Sequence, residues 1–148
     1  MLVEARYLTN ADSVAAGGVT GRSDMNIGEI SGYHIHIYYD SEDGPAAAKA
    51  LRDALADRFD VEIGMWRDKA GGPHPTPMFQ VNFAVELFGA IVPWLMLNRG
   101  GLNVLVHPET GDDVADHGDH ALWLGQTLPI DFDAVRSFME ERLRRERA

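Results

Sequence analysis

Cysteine is absent from all 148 residues, which removes disulfides, thiolate metal sites and cysteine nucleophiles together. A bound metal would have to sit on histidine and carboxylate. No apolar run approaches the roughly 20 residues that a membrane-spanning helix needs. The opening residues, MLVEARYLTN, lack the basic start and apolar centre of a secretory signal, so a cytoplasmic protein with no membrane association is expected. Positive charge is scarce as well: 13 Lys and Arg stand against 23 Asp and Glu, a formal charge of −10. Nucleic acid needs clustered cations along its phosphates, so this balance argues against it as a partner. The basic residues that do cluster, Arg142, Arg144, Arg145 and Arg147, alternate with Glu140, Glu141 and Glu146 in the pattern of a solvated helix end.

What is present organises itself after a plain start. Residues 1–30 are rich in Gly, Ala, Ser and Asp with no sustained period, which predicts a flexible N-terminal extension and places the folded domain at 31–148. Tyr33 to Tyr39 (YHIHIYY) alternates as a strand does, and Ala47, Leu51, Leu55 and Phe59 recur at helical spacing. Val61 to Trp66 is a second short strand, followed by a Gly- and Pro-punctuated loop. Met78 to Val85 is a third strand, Leu87 to Asn98 an apolar helix ended by Arg99-Gly100-Gly101, and Leu102 to His107 a fourth strand. A polar loop then leads to a helix from Asp131 to about Arg145, opened by an aspartate cap. The order βαββαβ plus a C-terminal helix predicts an α+β, ferredoxin-like domain with one face of its sheet open.

Six histidines carry the chemical signal: His34, His36, His74, His107, His117 and His120. Strand alternation puts His34, His36 and Tyr38 on one face of the first strand. It puts Met78, Gln80 and Asn82 on the polar face of the third, and Asn103, Leu105 and His107 on that of the fourth. With the first strand central, between a parallel third and an antiparallel fourth, its start would lie beside the start of the third and the end of the fourth. His34, His36, His74 and His107 would then converge at one sheet edge. Imidazole is the commonest protein ligand for Fe, Zn, Cu and Ni, and such sites draw donors from separate elements. His117 and His120 lie in an acidic loop and fit solvation as well as ligation. Nonheme iron sites add a carboxylate to two histidines, and Glu109, Asp112, Asp113, Asp116 and Asp119 all follow His107 closely.

From Tyr33 to Gly125 the chain resembles the DOPA 4,5-dioxygenase family of aromatic ring-cleaving enzymes, fungal and bacterial type. The segments that carry the resemblance are YHIHIYYD, GPHPTPMFQVNF and PWLMLNRGGLNVLVHPETGDDVADHGDHALWLG. It implies extradiol cleavage of a DOPA-like catechol with O2 at a histidine-bound Fe(II), which Zn or Ni can replace in a purified sample. It also implies that His34, His36, His74 and His107 match the family's histidine positions. Our assignment takes His34, His36 and His107 as metal ligands and His74, on its proline-bounded loop, as the acid–base group. Tyr38, Asn82 and Asn103 would orient the ring, and Arg99 would pair with a substrate carboxylate unless it caps the preceding helix instead. Two other classes fit the same cluster: a Zn-dependent hydrolase, and a non-catalytic dimeric metal- or small-molecule-binding domain. A homodimer is expected, since a partner would cover Met78 and Leu105 on the open face.

Overall fold

The computed structural model describes residues 30–40 and 44–148, so the N-terminal extension, all but its last residue, lies outside the described part. Along the chain run β1 (Tyr33–Tyr38), α1 (Gly44–Arg58), β2 (Glu62–Arg67) and β3 (Met78–Phe83). A single 3-10 turn (Val85–Leu87) precedes α2 (Phe88–Asn98), and β4 (Asn103–Pro108), α3 (Asp113–His117), β5 (Leu122–Leu124) and α4 (Phe132–Arg147) follow. The sheet order is β2-β3-β1-β4-β5, with every neighbouring pair antiparallel. This is the ferredoxin-like α+β arrangement extended by β5.

The third strand corrects the expected direction. It runs antiparallel to β1, so Tyr38 faces Met78 and Tyr33 faces Phe83. The reason is topological. The α1 crossover makes β1 and β2 parallel, and β3 returns from β2 to lie between them, so it must oppose both. The start of β3 therefore lies at the far end of β1 from His34.

Alternation along the strands sorts the residues into two faces. Ile35, Val81 and Val106 form one row and Ile37, Phe79 and Val104 the next, all buried beneath Leu51 and Leu55 of α1 and Ile91 and Leu95 of α2. Each such side chain contributes roughly 1.5–3 kcal/mol on burial, so this face holds the fold together. On the other face Tyr38, Met78 and Leu105 form a second apolar cluster. It is closed by Ala121, Trp123, Leu128 and Ile130 of the same chain, with Trp123 stacked on Tyr38 at 5.8 Å. Met78 and Leu105 thus need no second subunit to cover them, which removes the reason given for a dimer.

The short strand β5, missed by periodicity, and the segments on either side of it make that cover. β5 pairs Trp123 with Leu105, and the chain then turns at Gly125 (φ +87°), where a Cβ would sit 2.5 Å from Asn103 Oδ1. The glycine lets Gln126 N donate to that oxygen at 2.8 Å. α4 borders the rest of the face through Phe138 and Arg142. Asp131 caps it by accepting from Ala134 N, and its own N–H donates to Pro73 O. Arg142 ties it to α3 through Asp113 at 3.1 Å. No described helix is long and apolar enough to cross a membrane.

Candidate metal centre

The two central strands supply the heart of the site. His34 faces His107 across the β1–β4 register, with His36 next on the same face. One ligand-capable atom from each of these three rings lies within 4.8 Å of the others. His36 Nε2 and His107 Nε2 are 3.1 Å apart. His107 Nδ1–H donates to Pro108 O at 2.9 Å, which in the neutral ring leaves Nε2 as a lone pair turned toward His36. His36 Nδ1 is buried with no hydrogen-bond partner. An unsatisfied interior nitrogen costs about 1–3 kcal/mol, so the sequence keeps something here that the fold alone does not need.

Burial decides the charge state. His36 and His107 are both 3% exposed. Burial first, then the neighbouring imidazoles, hold His36 well below its ordinary value. Burial, then His117, bring His107 down to about 3. His34 is also lowered, by burial foremost, against the opposing pull of Glu109. Near neutral pH these rings are therefore uncharged, and each keeps one unprotonated nitrogen that a cation could use. The two Nε2 atoms, 3.1 Å apart, are close enough that both could serve one ion. A borderline divalent cation such as iron, zinc or nickel fits this nitrogen donor set.

Glu109 is the carboxylate that joins the cluster, with Oε1 2.7 Å from His34 Nε2. Three of the other acids are engaged elsewhere. Asp112 caps α3, Asp113 pairs with Arg142, and buried Asp116 accepts from Thr110 N, Thr110 Oγ1 and His120 Nδ1. His120 is thereby held in a structural pair. His117 is not: its ring lies 4.1 Å from that of His107 and 5.7 Å from that of His36. Its Nδ1–H donates to Asp113 O at 2.7 Å, leaving Nε2 unprotonated in the neutral ring.

His74 reaches the cluster by a route the sequence reading did not foresee. With β3 antiparallel, the start of that strand lies away from His34. However, reciprocal hydrogen bonds between Gly71 and His74 (3.1 Å each) fold the preceding loop back over the sheet. The His74 ring then sits 4.5 Å from that of His36, and its Nδ1 lies 2.8 Å from Tyr38 Oη. Burial foremost, then His117 and Arg67, bring its pKa down to about 4. Burial also raises that of Tyr38, so the phenol stays protonated.

A cavity of about 590 Å³ opens over these rings, lined by His34, His36, His74, His107 and His117, with Gln80, Met65, Arg67, Phe138 and Arg142 around them. That volume suits a small aromatic ligand. Among the ring-orienting residues expected from the sequence, Tyr38 stands behind His74, and Asn82 faces His34 in the register and accepts from Gln80 at 2.8 Å. The structure does not bring Asn103 or Arg99 to the cavity. Asn103 is at the opposite end of β4 from His107 and holds Gln126. The Arg99 side chain donates to Leu102 O and Gly100 O in the turn after α2, while only its backbone N–H reaches back to the helix, at Leu95 O. Sequence reasoning missed Arg67 and left Glu109 and His117 undecided. A one-turn helix capped at Asp112 was the available signal for His117.

A ferredoxin-like sheet with a buried histidine cluster that could hold a metal ion, under a cavity of small-molecule size, is the arrangement of an enzyme-like domain. The sequence pattern of the Dopa 4,5-dioxygenase family matches residues 33–134, and the chain belongs to that family. It is 34% identical over 129 residues to an uncharacterized 21.2 kDa protein of Botryotinia fuckeliana, covering 80% of this chain and 70% of that one. It is 33% identical over 110 residues to the DOPA 4,5-dioxygenase of Amanita muscaria, covering 69% of this chain but only 48% of the fungal protein. A crystal structure of a candidate dioxygenase from Nostoc punctiforme is 48% identical and superposes with a TM-score of 0.72, covering 74% of this chain and 95% of that one.

Proposed function

We propose that this protein is an extradiol dioxygenase that opens a catechol ring with O2, using Fe(II) held by His34, His36 and His107. The observation that carries the proposal is the cluster itself: three imidazoles on adjacent central strands, kept neutral by burial, in a member of a dioxygenase family. Bound there, Fe(II) would supply a path for electrons between catechol and O2, which react together very slowly without it. The ring bond beside one hydroxyl breaks, both oxygen atoms enter the product, and no outside reductant is needed.

The chain's own groups do the positioning and the proton work. His74 lines the cavity and is a free base near neutral pH. In the tautomer whose Nδ1–H donates to Tyr38 Oη, its Nε2 accepts a catechol proton and later returns it. Glu109 orients His34 by accepting from its Nε2–H, as carboxylates behind ligating histidines do. Met65 and Phe138, both more than half exposed, give the cavity apolar sides against which a ring can lie.

The test is oxygen uptake by anaerobically Fe(II)-loaded protein given a panel of catechols. Equal consumption of O2 and catechol with a yellow ring-opened product, absent in His107→Ala, is expected. No uptake with any catechol, in protein shown to hold iron, would remove the proposal.

A further inference from the structure

The sheet carries an irregularity aimed at the cavity. Between Ile63 and Trp66 three steps along β2 match only two along β3, from Val81 to Phe79, which is a β-bulge. Without it, Arg67 would share the helix-covered face with Ile63. With it, Trp66 takes the core position, stacked on Phe79 at 5.4 Å, and Arg67 falls opposite Met78 on the histidine face. Gly64 lies inside the bulge, where a Cβ would sit 3.3 Å from Gln80 O. The loop beyond is fitted to the guanidinium too: Cβ atoms at Gly71 and Gly72 would lie 3.3 and 3.5 Å from Arg67 Nη1.

Charge sharpens the point. Two cations line the cavity, and Arg142 is committed to Asp113 and Glu146. Arg67 makes no carboxylate ion pair among the described residues; its Nε donates to Met65 Sδ. The nearest acid in sequence, Asp68, is taken by Trp66 Nε1 at 2.7 Å and Tyr39 Oη at 3.3 Å on the other face. A chain of net charge −10 thus keeps the Arg67 guanidinium out of any carboxylate pair among the described residues, at the edge of the cavity. Guanidinium is the side chain best matched to a carboxylate, which it holds by two parallel hydrogen bonds.

We propose that Arg67 is the specificity-determining residue of this site, holding a carboxylate on the ligand's side chain while the ring lies over the histidines. The proposal rests on the ring-cleavage reading, but the binding it asserts is measurable without turnover. Arg67 thus takes the part that the sequence assigned to Arg99.

The experiment uses the full Fe(II)-loaded chain under argon, with dihydrocaffeate and its uncharged amide titrated by calorimetry. Wild type is expected to bind the acid roughly 10- to 100-fold more tightly than the amide, the range of one charge-assisted contact. Arg67→Gln should erase that preference by weakening the acid alone, and Arg67→Lys should restore part of it. Equal binding of acid and amide by wild type would overturn the proposal with no variant needed. So would an Arg67→Gln variant that weakens both ligands alike, since a merely structural arginine does not tell them apart. Oxygen admitted afterwards separates the two claims: an acid preference without O2 uptake leaves Arg67 as a carboxylate site and removes ring cleavage.

Discussion

His36 and Ile35 are neighbours on one strand, on opposite faces of the sheet, and their replacement should move stability in opposite directions. Ile35 is fully buried in the main core, so Ile35→Ala is expected to cost about 3 kcal/mol in lost burial and cavity. His36→Leu, in metal-free protein, removes an unsatisfied buried nitrogen and relieves about 1–3 kcal/mol. It also leaves His107 Nε2 without its partner at 3.1 Å, a term of similar size and opposite sign. The burial of a leucine in place of an imidazole adds about 1 kcal/mol, so the net expectation is a gain near 1 kcal/mol. Urea denaturation in chelator reads this as a midpoint rise of about 0.5 M for a slope near 2 kcal/mol/M. Added metal at about 100 times its Kd should then stabilise wild type by about 2.7 kcal/mol and His36→Leu not at all. A loss above 2 kcal/mol in metal-free His36→Leu would refute the reasoning, because His36 would then be a satisfied core residue and not a ligand held at a cost.

Metal-free stability should also depend on pH. His107 and His74 titrate at about 3 and about 4 in the fold, against 6.5 ordinarily. The unfolded chain therefore binds more protons below 6.5, and stability, full above that pH, should fall as the solution is acidified toward 4; a urea midpoint that rises instead would contradict the burial argument. His74→Gln should lower kcat by roughly 100- to 10,000-fold while iron binding by calorimetry stays within about 3-fold of wild type; equal losses of both would make His74 a ligand. Asp116→Ala strands Thr110 N and should cost about 3 kcal/mol, whereas Asp116→Asn can still accept from that amide and should cost about 1. Thermal or urea unfolding checks the difference, and a large loss of iron affinity in Asp116→Asn would place that carboxylate at the metal instead.

The sheet was legible because its signal is the two-residue period. Alternation alone separated Ile35 and Ile37 from His34 and His36, and Val104 and Val106 from Leu105 and His107, and the register bears out both divisions. Strand direction was not legible from it, since period two reads the same both ways. His74 was therefore expected near His34 through a parallel β3, and reaches the cluster instead through the Gly71–His74 turn. α3 and β5, five and three residues long, are too short for any period to show. Arg67 was hidden by the bulge, because one extra residue reverses the face of everything after it and no pattern in EIGMWR marks the slip. Asn103 lies away from the cavity for a simpler reason: a face tells which side a residue is on, and not which end.

The most direct measurement of the central claim is isotope incorporation. Fe(II)-loaded protein turns over a catechol under labelled dioxygen, and borohydride quenching fixes the aldehyde oxygen before it exchanges with water. Ring cleavage at the histidine centre is expected to place both labelled atoms in one product molecule, read by mass spectrometry. A product with one labelled atom or none, or label uptake undiminished in His107→Ala, would contradict the account.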